Sequence, residues 1–234
     1  MSEPVLTKRL DAFVSELQKK TPDLKIAFKD ESWLMKLIGK VAFFNPKFMT
    51  SFITTLGSTV YVPSREWLAK QPDSSMLQIM AHEYMHMRDN QKWNFLFHLA
   101  YLFPITLLPV IAALLFVLPW WACLMLAAVC VAPLPAPGRM HFELRGYTMS
   151  MFVIDRMAQE SNKPQAWRMQ LLNEVADVYD SQFTGLNYYV MWPFGVRDKL
   201  KDEIAAIDSG DIVKSDVIYL EVAEALEASK AHVP

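Results

Sequence analysis

His82-Glu83-Tyr84-Met85-His86 places two imidazoles four residues apart, with a carboxylate directly after the first. If this segment is helical, His82 and His86 lie one turn apart on one face, and a nitrogen from each ring converges on a single ion. Glu83 then stands beside the ion without ligating it. It can take a proton from water that zinc has acidified, while that water attacks a carbonyl. The spacing is the HExxH pattern of a zinc hydrolase; the competing reading is a surface helix with two ordinary histidines.

A catalytic zinc takes a third protein ligand and keeps one position open. Glu143, in Arg139-Met140-His141-Phe142-Glu143, is the preferred candidate; it could instead be a first-turn carboxylate favoured by a helix dipole. Asp89 shares nearly the same helical face as His86, but its short side chain suits a helix-end or supporting role better. His98 falls within an apolar helix, and His141 precedes the better placed Glu143 by two residues.

These residues need a scaffold. Asp73 or Ser74 is expected to cap a helix over about 75–90, with Met76, Leu77, Met80, Tyr84 and Met87 on its apolar side. From Trp93 to Gly138 the chain has no Asp, Glu, Lys or Arg. That length suits two membrane crossings, read as helices over about 95–118 and 120–135. Pro119, Trp120 and Trp121 would form the turn, and Pro104 and Pro109 would kink the first span. An even number of crossings returns the chain to the side it left, which lets Glu143 meet the His82 helix. A buried helical hairpin within a large assembly is the alternative.

The expected fold is α+β and mainly helical. Residues 1–92 are expected to form a first part with the edge strand and the HExxH helix, 93–138 an inserted hydrophobic hairpin, and 139–234 a helical part carrying the third ligand. A helix over about 4–19 and a strand over 24–28 come first. The stretch 33–53, interrupted by Lys36, Lys40 and Lys47, reads either as a core helix with a solvated lysine face or as a helix lying on a membrane surface. Residues 54–64 read as a strand at a sheet edge. Helical periodicity returns over 142–159, 164–183 and 215–229, with an irregular aromatic run at 185–195. Cys123 and Cys130 lie in the apolar stretch and read as packing residues.

The flanks carry 23 basic and 25 acidic side chains, a balance that argues against nucleic acid as a partner. Nothing at the N-terminus reads as a secretory leader. Arg88 and Lys92 precede the apolar stretch, and Arg139 and Arg145 follow it, so the positive-inside rule puts the zinc site on the cytoplasmic side of a membrane.

The strand Ser58–Pro63, the HExxH helix, the apolar hairpin and the following helix with Glu143 together resemble the gluzincin metallopeptidases. The resemblance is closest to the membrane-bound group that includes the heat-shock membrane protease and the CAAX prenyl protease. It covers about residues 54–155 and rests on short motifs. In that family the third ligand opens a Glu-x-x-x-Asp pattern whose Asp supports a ligand histidine; here Glu143 matches and Tyr147 replaces the Asp. The upstream crossing common in that group is missing. The resemblance implies a Zn2+ cofactor and a peptide or protein substrate laid against Thr59, Val60, Tyr61 and Val62 as an edge strand. It also implies a tyrosine that stabilises the oxyanion, for which Tyr188, Tyr189 and then Tyr147 are the candidates. Lipid is expected around residues 95–135, and oligomeric state is left open. Two functions follow: a membrane-associated zinc endopeptidase, or a non-catalytic membrane- or particle-embedded structural protein whose zinc stabilises the fold. The intact Glu83 favours the enzyme, because a structural site needs no base.

Overall fold

The computed structural model describes residues 7–41, 47–131, 135–184 and 195–232. Thr7 opens α1 (Lys8–Lys20) by accepting a hydrogen bond from the Leu10 amide, as a threonine N-cap does. Leu10, Phe13, Val14 and Leu17 then recur at helical spacing and are buried. Each burial is worth about 1.5–3 kcal/mol, which fixes the helix on the core.

A small sheet follows, built from β1 (Lys25–Phe28), β2 (Thr54–Leu56) and β3 (Thr59–Val62). β2 and β3 form an antiparallel hairpin through Gly57 and Ser58, and Gly57 adopts the positive φ of 61° that the turn requires. β1 pairs with β3 in parallel, so β3 is the central strand. This corrects the reading of Thr59, Val60, Tyr61 and Val62 as an edge: both sides of β3 are taken. β2 pairs only with β3 among the described residues. Between β1 and β2, α2 (Trp33–Val41) buries Met35 but exposes Trp33, Lys36, Leu37 and Lys40.

α3 (Arg65–Ala69) leads to α4 (Asp73–Trp93), which is longer than the sequence pattern suggested. Pro72 precedes it, and no side chain caps it. α4 packs chiefly against α8 (Pro137–Glu160), with α1 alongside. The rest of the helical body is α9 (Gln165–Thr184), α10 (Val196–Ser209), α11 (Ile212–Ser215) and α12 (Val217–Ser229). α10 went unread in the sequence, although Val196, Leu200, Ile204 and Ile207 mark its buried side.

The apolar stretch departs from the two spans expected, the first of them kinked by Pro104 and Pro109, by breaking further than a kink. Asn94, at φ 47°, turns the chain out of α4 into α5 (Phe95–Tyr101). A short 3-10 turn at Ile105–Leu107, preceded by Pro104, separates α5 from α6 (Leu108–Leu114), and α7 (Trp120–Val131) follows. Pro104 therefore ends a helix, and Pro109 lies in the first turn of the next, where its missing N–H costs nothing. Among the described residues no single helix is long and apolar enough to cross a membrane. α5 and Ile105–Leu114 reach that length and apolarity only as a pair bent by 109°. α6 and α7 pack on each other around Ile111, Cys123 and Cys130, and both cysteines are unbonded and buried, as packing residues should be.

Candidate metal centre

α4 carries His82 and His86 on the face turned toward α8, and their Nε2 atoms lie 3.0 Å apart. α8 can approach because residue 146 is glycine: a Cβ there would lie 2.7–2.9 Å from atoms of the His82 ring. One turn earlier on α8, Glu143 brings Oε2 to 3.5 Å from His82 Nε2 and 3.7 Å from His86 Nε2. Glu143 is the seventh residue of α8, so the first-turn explanation of its carboxylate falls away.

His82, His86 and Glu143 form a group that can hold a metal ion, all three donor atoms lying within 4.8 Å of one another. Four ligands at about 2.0–2.2 Å around a tetrahedral ion stand roughly 3.3–3.6 Å apart, close to the 3.0, 3.5 and 3.7 Å seen here. Glu143 is almost fully buried, and its Oε2 has no hydrogen-bond partner. A buried carboxylate oxygen left this way costs about 1–3 kcal/mol, or more when charged, and a cation at the centre of the three donors would remove that cost. The donor set therefore fits a metal ion.

The charge balance points the same way. Burial would lower the His86 pKa, but Glu143 beside it, with Glu83 and Asp89 farther off, outweighs burial and raises it. Burial would raise Glu143, yet the two imidazoles hold it well below the usual carboxylate range. The pocket thus calls for positive charge.

Two of the three donors are steadied by other residues, while His86 Nδ1 is buried without a hydrogen-bond partner among the described residues. Tyr101, on α5, donates its hydroxyl hydrogen to Glu143 Oε1, leaving Oε2 turned toward the histidines. Ser150 Oγ lies 3.5 Å from His82 Nδ1 and 3.5 Å from the Gln78 carbonyl oxygen. The Tyr147 ring meets His82 edge-on at 5.1 Å and stacks on Tyr179 at 4.3 Å. Tyr147 thus braces a ligand ring by contact from the position at which the resembled family has a carboxylate. Glu83 Oε2 accepts a 2.6 Å hydrogen bond from Thr55 Oγ1, which ties the carboxylate to β2.

Asp89 is excluded from the group by its partner. Arg145 donates to both of its oxygens at 2.9 Å and to Asp216 at 2.8 Å, joining α4, α8 and the N-cap of α12. His98 and His141 are exposed and lie outside the group. Tyr188 and Tyr189 lie outside the described residues. Sequence reasoning missed Tyr101, Thr55, Ser150 and Tyr179. Tyr101 left one trace, as the only tyrosine between Trp93 and Gly138. Gly146 left another, an isolated glycine inside a helical pattern, which argues for close packing.

Comparison of the chain with protein-family models, with curated proteins and with solved structures gives no match. What the geometry establishes is a buried His-His-Glu group in a mainly helical protein.

Proposed function

We propose that this chain is a zinc-dependent, membrane-associated endopeptidase. The observation that carries the reading is the set of three converging donors, in which buried Glu143 Oε2 faces both imidazoles without a hydrogen bond, with Glu83 alongside on the same helix. His82, His86 and Glu143 hold the ion. Zinc, when bound, supplies Lewis-acid chemistry: it polarises a carbonyl and makes water acidic near neutral pH.

Glu83 takes the proton of the attacking water and passes it to the leaving amine. Thr55 fixes one of its oxygens, so the base does not swing onto the ion. The substrate peptide lies along the outer side of β2 rather than on β3, in extended form beside Thr55 and Glu83. Tyr188 or Tyr189 stabilises the oxyanion, a role the bracing position of Tyr147 suits less well.

The apolar segment 95–131 sits in lipid, supported by its lack of charge and by the exposure of Phe95, Phe116, Trp120 and Trp121. Both its flanks return to the α4–α8 pair, so one side of the membrane holds the whole site, and the positive-inside rule makes that side cytoplasmic. Protease added outside sealed vesicles should then leave both flanks uncut; cleavage near Lys199 or Lys201 would reverse the orientation.

The decisive experiment measures zinc content and peptide cleavage for wild type and Glu83→Gln. About one zinc per chain in both, with cleavage only in wild type, is the expected result. Zinc in both and cleavage in neither across a broad peptide library would turn the reading to a structural site that stabilises the fold.

A further inference from the structure

α5 belongs to the apolar segment and to the metal centre at once. Its outer side exposes Phe95, Leu96 and Leu99, while Tyr101 at its end donates to Glu143 Oε1. Three contacts clamp α5 to the start of α8. Arg139 Nε donates to the Tyr101 carbonyl at 2.8 Å. The Phe97 ring stacks on Tyr101 at 5.3 Å and packs on Phe142 at 4.6 Å. Gly138 lets the two backbones touch, since a Cβ there would fall 2.6 Å from the Ala100 carbonyl oxygen.

Glu143 has its two oxygens divided between two tasks. Oε1 belongs to Tyr101 and Oε2 faces the histidines, so the phenol sets the carboxylate's rotation and favours one-oxygen ligation. A carboxylate without that tether can turn about its last bond and present either or both oxygens. Partners that orient a ligand in this way typically change metal affinity 10–100-fold when removed.

We propose that Tyr101 is a positioning residue for the third metal ligand, so that metal affinity depends on how the apolar segment is seated against α8. The inference rests on the metal reading of His82, His86 and Glu143, and it extends that reading to a control point outside the ligand set. Tyr101→Phe keeps the ring against Phe97 and removes only the hydroxyl. Gly138→Ala keeps the hydroxyl and wedges α5 away from α8.

The test uses the full chain in detergent or lipid nanodiscs, with zinc affinity by competition against a chelating dye and the visible spectrum of the cobalt-substituted protein. Tyr101→Phe should weaken zinc binding about 10–100-fold and change the cobalt bands, while the metal-free protein keeps its helicity with a somewhat lower unfolding midpoint, since buried Glu143 Oε1 loses its donor. Gly138→Ala should weaken binding in the same direction, while Leu124→Ser, on the exposed side of α7, should bind as wild type does. Wild-type affinity and spectrum in Tyr101→Phe would overturn the inference. Should Tyr101→Phe misfold, Gly138→Ala decides: wild-type affinity there overturns it equally. If wild-type protein itself binds no metal, the metal reading fails first, and the two failures are told apart.

Discussion

Two helical regions of this chain invert the usual relation between charge and burial. α4 and α8 carry histidines, carboxylates and arginines, yet form the most enclosed part of the molecule, with His86, Asp89, Arg139, Glu143 and Asp155 all buried. The segment 95–131 carries no charge at all, yet Phe116 is 93% exposed and Val117 80%, around a buried cluster of only Ile111, Cys123 and Cys130. The difference lies in the partners each region has within the chain. Polar groups in the α4–α8 body mostly find a donor, an opposite charge or a place around an ion, so burial is tolerated. Among the described residues, the apolar segment has too little chain around it to cover its surface.

The largest effects should come from breaking the polar side of this comparison. Glu143→Ala is expected to leave purified protein without zinc, because two histidines alone hold the ion poorly, whereas Asp89→Ala should keep zinc near one per chain. Metal analysis of both checks this, and the reverse pattern would make Asp89 the ligand. Asp89→Ala should instead lower stability by about 3 kcal/mol in denaturant unfolding, since it strands the guanidinium of Arg145 beside Asp216 alone. Changing Asp89 and Arg145 together to Leu and Met should recover part of that loss, because the charge left over, on Asp216, is only half-buried and keeps the Ile218 amide.

Smaller effects are expected where a buried charge is held by neutral partners. Lys29 is fully buried, with Nζ 2.8 Å from the Phe48 carbonyl and 2.8 Å from Thr54 Oγ1. Burial brings its pKa down from 10.5 to about 8, with Glu83 pulling the other way. Below pH 8 both folded and unfolded chains keep the proton, and the fold carries the full cost of the buried charge. Between about 8 and 10.5 the unfolded chain holds a proton that the folded chain has lost, so stability rises with pH across that window. The gain should be on the order of 2 kcal/mol once solvent screening is allowed for. The difference in unfolding free energy between wild type and Lys29→Met, followed from pH 7 to 10.5, isolates this slope; a flat difference would show that Lys29 holds its proton as ordinary lysines do.

The same contrast explains what could be read in the sequence. His82, Glu83 and His86 lie within one helical turn, so their convergence is local and legible. Glu143 was reachable through topology alone, since a segment that leaves α4 and returns must bring α8 back to it. Tyr101 and Thr55 were not reachable: they meet Glu143 and Glu83 across separations of 42 and 28 residues, and nothing local marks a hydroxyl as the partner. The place of β3 was hidden for a related reason, because only its parallel pairing with β1 makes it central. Uniform apolarity erased the break at Asn94, and at Pro104 it left a kink legible but not the size of the bend, since a run with no polar face has no period to show where a helix turns aside.

The smallest effect on the fold is expected at the exposed end of the apolar segment, and it bears most directly on why that segment is uncovered. Phe116 and Val117 lie just after α6, and Trp120 opens α7. Phe116→Ser with Val117→Ser removes apolar area that the folded chain does not bury, so unfolding free energy in detergent should change by no more than about 0.5 kcal/mol. Vesicle binding should respond differently. If these side chains sit in lipid, losing the phenylalanine alone forfeits about 1.5–3 kcal/mol of transfer free energy, a drop in partitioning of roughly 10–100-fold. Sedimentation with neutral phosphatidylcholine vesicles measures it, with Lys201→Ser as a control on an exposed charge elsewhere. Unchanged partitioning together with a stability loss above about 1 kcal/mol would mean that the segment folds back on protein rather than lipid. The exposed face would then belong to an interface between chains, and the contrast between the two regions would become one between two kinds of core.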